Sequence, residues 1–318
     1  MADVIKKATR ESYGEALVEL GAEYPQLVVL DADLSKSTKT EMFQKKYPER
    51  FINCGIAEAN MMSIAAGLAS TGMIPFASSF AMFAAGRAFE QVRNSIGYPR
   101  LNVKIGATHA GLSVGEDGAT HQCCEDIAIM RAIPGMVILN PADHIEAKAA
   151  VKAAVAYDGP VYLRFGRLAV PVFNDPDNYK FEIGKGVTVR EGDDITIVAT
   201  GLMVWEAIKA ADALKEEGIN ARVLNIHTIK PLDNDLVVKA AKETGAIVTV
   251  EEHSVIGGLG EAVSTAICEE GVACGVVKIG VQDRYGESGP ALEVLKKFGL
   301  DSDNIVKTVK ETLAKFKK

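Results

Sequence analysis

Cysteine is scarce in this 318-residue chain: Cys54, Cys123, Cys124, Cys268 and Cys274 are an odd number and include no Cys-x-x-Cys pair. A disulfide framework and the usual zinc spacings are therefore excluded, and reduced thiols in a cytoplasmic protein are expected. The adjacent Cys123 and Cys124 read as small packing residues. Basic charge is also in deficit, with 35 Lys and Arg against 42 Asp and Glu and a formal net charge of -7. Clustered cations drive binding to nucleic acid and to anionic membranes, so neither is an expected partner. A secretory leader needs an apolar core, whereas the first residues, Met-Ala-Asp-Val-Ile-Lys-Lys, carry charge. Internal repeats and low-complexity tracts are lacking too. The long uncharged run over residues 59–86 contains Gly67, Gly72, Pro75 and several Ser and Thr. It is expected as a buried helix, a turn at 70–72, a buried strand and a second buried helix, not as a membrane span.

What is present describes a globular protein, with 48% hydrophobic and 24% charged residues. The length suits two domains, each able to bury a core. Short apolar strands at 28–31, 51–54, 74–79, 102–107, 136–140 and 161–164 alternate with helix-like segments. That is the pattern of parallel strands joined by helical crossovers, with a helical layer on each face. Between 165 and 186 the periodicity fails among Pro171, Asn174, Asp175, Pro176, Asp177 and Asn178. Strands resume at 195–200, 223–226, 247–251 and 276–279, with helices at 204–217 and 234–244. The predicted architecture is α/β: a three-layer α/β/α domain over 1–165 with a mainly parallel sheet, a linker over 166–186, and a smaller three-layer domain over 187–318.

Ligands of parallel sheets bind at the carboxyl ends of the strands. Polar and aromatic residues gather there: the segment from Asp31 through Asp33 to Ser37 after the first strand, Gly55-Ile56-Ala57-Glu58 after the second, Ser79-Phe80 after the third, and Thr108-His109 after the fourth. Glu58 opens an uncharged helix. Taken alone, it reads as a carboxylate favoured by the helix dipole; against an apolar wall, it could instead hold a proton for exchange with a ring nitrogen. Phe80 and Phe83 lie three residues apart, on one helical face, and serve equally well as core rings. Residues 106–122 hold several glycines, His109, His121 and the adjacent Glu116 and Asp117. A loop of that length in a compact domain is expected to be functional. Two histidines make a poor metal site, so acid–base work or hydrogen bonding to a polyhydroxy substrate suits them better.

In order and spacing, Ala32-Asp33-Leu34, Gly55-Ile56-Ala57-Glu58, Ser79-Phe80 with Phe83, and the run from Gly115 to Gln122 resemble the pyrimidine-binding domain of transketolases. The likeness continues through Asn140-Pro141-Ala142-Asp143 and Gly159-Pro160-Val161-Tyr162-Leu163-Arg164. Val250-Glu251-Glu252-His253 and Gly257-Gly258-Leu259-Gly260 resemble the C-terminal domain of the same family. The resemblance implies thiamine diphosphate as cofactor. Glu58 would bond the ring nitrogen of its aminopyrimidine and favour the tautomer that takes the proton from the reactive carbon. Phe80 and Phe83 would stack on the pyrimidine, and Asp33 would line the cofactor site. His109, Asp117 and His121 would contact the sugar, and Arg10, Ser37 and Arg164 its phosphate, with Glu58, His109 and His121 in the catalytic roles. This chain has Ala59 where transketolases carry His, and His109-Ala110-Gly111-Leu112 is closer to 1-deoxy-D-xylulose-5-phosphate synthase, whereas Gly115-Glu116-Asp117-Gly118 points back to transketolase.

The family's Gly-Asp-Gly motif, which holds the Mg2+ of the diphosphate, does not occur. The resemblance then implies a partner, an N-terminal transketolase subunit supplying Mg2+ and diphosphate binding, and a dimer of such pairs, with no metal ligand on this chain. The expected activity is transfer of a two-carbon ketol unit between phosphosugars. Two other readings stand beside it: a deoxyxylulose-phosphate synthase-like or 2-oxo acid dehydrogenase beta-like subunit, and a non-catalytic assembly subunit.

Overall fold

The computed structural model describes residues 5–316. Seven strands form the first sheet, in the order Thr228–Lys230, Val137–Leu139, Val161–Arg164, Lys104–Thr108, Ile74–Phe80, Leu27–Asp31 and Phe51–Asn53. All pair in parallel except the first, which runs antiparallel to Val137–Leu139. The central strands are buried along their whole length, because helices cover both faces and no position faces water. One face packs Met61, Met62, Ala65 and Ile105 against Ala84, Val92 and Ile96. The other packs Tyr13, Leu17 and Leu20 with Leu27, Phe76 and Val151.

The helix Glu58–Ser70, the turn Thr71-Gly72 and the buried strand Ile74–Phe80 follow the reading of the uncharged run. Among the described residues, no helix is long and apolar enough to cross a membrane. Helix starts carry their own signals. Asp143 caps the helix His144–Ala156 by accepting from the N–H of Glu146 at 2.9 Å, and Asp233 caps Asn234–Thr244 through the N–H of Leu236 at 3.2 Å.

The second sheet has five strands, ordered Gly275–Val281, Ala246–Ser254, Ile195–Ala199, Ala221–Asn225 and Val187–Arg190, the last antiparallel. Four short strands lie outside the sequence pattern. Val187–Arg190 is one. Lys6–Ala8 pairs with Ala169–Pro171 inside the expected linker. Thr228–Lys230 leaves the second unit to finish the edge of the first sheet, where the N–H of Asn140 also donates to the carbonyl of His227 at 2.8 Å. An exposed parallel edge leaves backbone groups unpaired, and this strand satisfies them. The apolar cluster between the second sheet and its helices takes in Leu112, Cys124 and Ala142 of the first unit, so packing is continuous across the seam.

Candidate active site

Strand Ile74–Phe80 delivers Phe80 to the carboxyl edge of the first sheet, and the widened helical turn Met82–Arg87 that follows brings Phe83 beside it. The two rings stack with centroids 5.9 Å apart and planes 16° from parallel. The neighbouring strand, Lys104–Thr108, ends next to them and places the His109 imidazole on Phe80 at 3.9 Å. His121 approaches Phe83 edge-on at 5.4 Å. Four rings from three separate chain segments thus form one cluster.

His109 sits in the left-handed backbone region, φ 56°, a conformation that costs a non-glycine residue about 1 kcal/mol or more. Its Nε2 lies 3.3 Å from Arg10 Nη1, which can only donate, so Nε2 accepts and Nδ1 carries the hydrogen toward Thr108 Oγ1 at 2.9 Å. Burial, helped by the nearby cations Arg10 and Arg167, pushes its pKa down to about 3. The ring is a neutral hydrogen-bonding group at any ordinary pH.

Glu58 is the first residue of the helix Glu58–Ser70 and is 2% exposed. Its Oε2 is buried without a hydrogen-bond partner, with Arg87 Nη1 standing 3.5 Å away. Arg87 is itself mostly exposed and lies over the Phe83 ring at 5.5 Å, which ties Glu58 to the aromatic cluster. A buried carboxylate oxygen that accepts nothing costs about 1–3 kcal/mol or more and calls for a donor. That orphaned oxygen beside an aromatic shelf fits the N–H and the flat face of an aminopyrimidine. Beyond Phe83, an open hollow of about 540 Å³ is lined by Met82, Phe83, Arg87, Thr120, Glu125 and Tyr285.

Buried Asp31 organises the neighbouring loop by accepting from the N–H of Leu34 at 2.5 Å and from the hydroxyls of Thr38 and Thr40 at 2.7 and 2.9 Å. Burial raises its pKa, against the pull of those hydrogen bonds. The loop in turn presents Ser37, whose carbonyl accepts from Arg10 Nη1 at 2.8 Å. Arg10 Nε is buried and unpartnered. Asp33 is exposed at φ 65° and accepts from Asn53 Nδ2 at 3.2 Å. Asp117 ends the short 3-10 segment Leu112–Asp117 and is exposed.

Arg10, Ser37, His109, His121, Phe80 and Phe83 therefore share one edge with Glu58. Arg164 does not join them. It is 3% exposed, its Nε donates to Asp126 at 2.8 Å and its Nη2 to the carbonyl of Glu252 at 2.9 Å. Burial works to lower its pKa, and the pairing with Asp126 outweighs that and raises it. The guanidinium expected to hold a phosphate is thus committed inside the protein. Arg167, three residues on and about one-third exposed, is the arginine whose charge bears on both Arg10 and His109. The sequence held a signal for this exchange: Arg164 closes an unbroken buried strand, whereas Arg167 follows the release at Gly166.

A family model for the transketolase pyrimidine-binding domain matches residues 5–172, and one for the transketolase C-terminal domain matches residues 184–305. The chain is 52% identical, over 98% of both sequences, to a putative transketolase C-terminal section of Methanocaldococcus jannaschii. It is 44% identical to the 6-deoxy-6-sulfo-D-fructose transketolase subunit SqwH of a Clostridium species, over 95% of this chain and 93% of that one. Among solved structures, a split-gene transketolase described as an inactive beta4 tetramer superposes with a TM-score of 0.90 at 55% identity, over 96% of this chain and 98% of that one.

Proposed function

The chain belongs to the transketolase family as a C-terminal-section subunit, and from that premise we propose that Glu58, Phe80 and Phe83 bind the aminopyrimidine of thiamine diphosphate. The reaction class is transfer of a two-carbon ketol unit between phosphosugars. The observation that carries the site assignment is the buried, partnerless Oε2 of Glu58 at the edge of the aromatic shelf. When bound, the cofactor supplies a nucleophilic carbon able to take up and release a two-carbon ketol unit.

The chain's own residues do the rest. Glu58 holds or hands over a proton at Oε2 toward a ring nitrogen, and its burial keeps water from competing for that proton. Phe80 and Phe83 fix the plane of the ring. Neutral His109 adds no charge, and its Nε2 accepts from a substrate hydroxyl in exchange for its long contact with Arg10. His121, held by Thr120 Oγ1 at 2.9 Å, and Asp117 reach the sugar from the other limb of the loop. Arg10, with Ser37 and Arg167, forms a cationic corner for the anionic end of the sugar, where Arg10 Nε is free to donate. Asp33 lines the cofactor side through the loop that Asp31 folds.

The division 1–165, 166–186 and 187–318 is our reading of the domains, with the strand Thr228–Lys230 lent by the third region to the first. Partner dependence is supported by the subunit and section status of the relatives and by the inactivity of the beta4 neighbour. In this reading an N-terminal subunit brings Mg2+ and diphosphate binding, and two such pairs assemble as a heterotetramer. Five unpaired thiols suit a cytoplasmic location. Co-purification with an N-terminal-section subunit, followed by assay with thiamine diphosphate, Mg2+, xylulose 5-phosphate and ribose 5-phosphate, tests the proposal. Ketol transfer only with both chains is expected. CO2 release from pyruvate without sugar transfer would retain the cofactor and overturn the substrate, and a complex inactive on both would leave an assembly subunit.

A further inference from the structure

Both limbs of the loop that carries His109, Asp117 and His121 are gripped by one strand of the C-terminal unit, Ala246–Ser254. On the first limb, the carboxylate of Glu252 accepts the backbone N–H of Ser113 at 2.5 Å, inside the short 3-10 segment Leu112–Asp117. The fit there is closed. Gly111 has φ +79°, and a Cβ on it would collide with Glu252 Cδ, so the carboxylate occupies the space that a side chain would need. On the second limb, the N–H of Ser254 donates to the carbonyl of Cys124 at 2.7 Å, and the carbonyl of Glu252 receives Arg164, which also reaches Asp126. Leu112 and Cys124, one from each limb, are buried in the apolar core of the C-terminal unit. The limbs are tied to each other by Gly111 N–H to Cys123 carbonyl at 2.8 Å.

These contacts leave the loop no independent position: where the strand goes, the spacing between His109 and His121 follows. Such a linkage matters because catalytic and binding groups must be held to within about 0.5 Å, and a shift of about 1 Å can cost about a hundredfold. We propose that Glu252 is a positioning residue for substrate recognition, acting through the Ser113 N–H to hold the sugar-binding loop in register, and that this is a task of the C-terminal unit in the reaction. The inference rests on the reading of His109 and His121 as substrate contacts. His109 and His121 touch Phe80 and Phe83, but those phenylalanines and Glu58 are held by their own strand and helices, so cofactor affinity should change much less than the KM for the sugar.

The experiment uses the complex with the N-terminal subunit, thiamine diphosphate and Mg2+, and compares E252A, E252D and E252Q with wild type. E252D keeps a buried carboxyl group but withdraws the acceptor from Ser113; E252Q keeps an acceptor of the same reach. The KM for the phosphosugar is expected to rise about tenfold in E252A and E252D and to stay near wild type in E252Q, with thiamine diphosphate affinity changed by less than about twofold in all three. A wild-type KM in E252D, or a parallel loss of cofactor affinity, would overturn the proposal and leave Glu252 as ordinary scaffold. His109→Ala and His121→Ala serve as controls. If they raise KM while E252D does not, only this inference falls; if they too leave KM unchanged, the substrate reading beneath it falls as well.

Discussion

Replacing Glu58 by Gln keeps the volume and removes both the acid–base capacity and the buried charge, so activity and stability should separate. Positioned proton transfer contributes about 10²–10⁴ to rate, and kcat for ketol transfer is expected to fall by about that factor, roughly 3–5 kcal/mol in barrier height. Stability should not fall with it. The wild-type side chain is 2% exposed and its Oε2 makes no hydrogen bond, a burden of about 1–3 kcal/mol that the neutral amide relieves in part. The substitution also ends the ion pair with Arg87 at 3.5 Å, but that arginine is mostly exposed and the pair contributes about 0–1 kcal/mol. The variant should therefore melt at the wild-type temperature or about 2 °C above it. Steady-state kinetics of the two-chain complex at saturating cofactor, with calorimetry of the same complex free of cofactor, gives both numbers. A kcat within a factor of two of wild type would refute a catalytic Glu58, and a kcat loss accompanied by a melting point several degrees lower would show that the carboxylate is mainly a helix-start residue.

The two arginines near the loop should behave oppositely. Arg164→Ala leaves Asp126 buried and unpaired and should cost about 3–5 kcal/mol in chemical unfolding, whereas Arg167→Ala should cost under about 1 kcal/mol and raise the KM for phosphorylated sugars; equal stability losses would contradict the assignment. Glu146, fully enclosed and bonded by Tyr179, Asn225 and the N–H of Ala142, has its pKa raised by burial to about 7. The folded state thus holds its proton to higher pH than the unfolded chain, so this stabilisation is complete below about pH 4.5 and is lost as pH rises through about 7, on the order of 3 kcal/mol in all. E146Q should accordingly flatten the decline in melting temperature between pH 5 and 8, and an unchanged slope would refute the reading. For His109, nitrogen NMR should show a neutral imidazole protonated at Nδ1 from pH 5 upward; an imidazolium signal at pH 6 would contradict the packing described.

Much of the architecture is a local property of the sequence. The runs that became Leu27–Asp31, Ile74–Phe80 and Val161–Arg164 are apolar without alternation, and a strand with no polar face must be covered on both sides, which determines a layered parallel sheet before any contact is known. The same rule places loops and chemistry at the carboxyl ends, so Glu58, Phe80, His109 and Ser37 were legible as neighbours from strand order alone. Tertiary structure decided whatever depends on which groups meet across the seam between the two units. Nothing local in Thr228–Lys230 says that it closes the edge of the other sheet, because edge pairing depends on which backbone is left unpaired nearby. Nothing local in Arg164 names Asp126 and the Glu252 carbonyl as partners, 38 and 88 residues away, and that pairing removes it from the substrate edge. Composition and pattern set which residues must be buried and which strand ends must carry the chemistry; long-range geometry alone sets which buried polar atom finds a hydrogen-bond partner and which, like Oε2 of Glu58, is left without one.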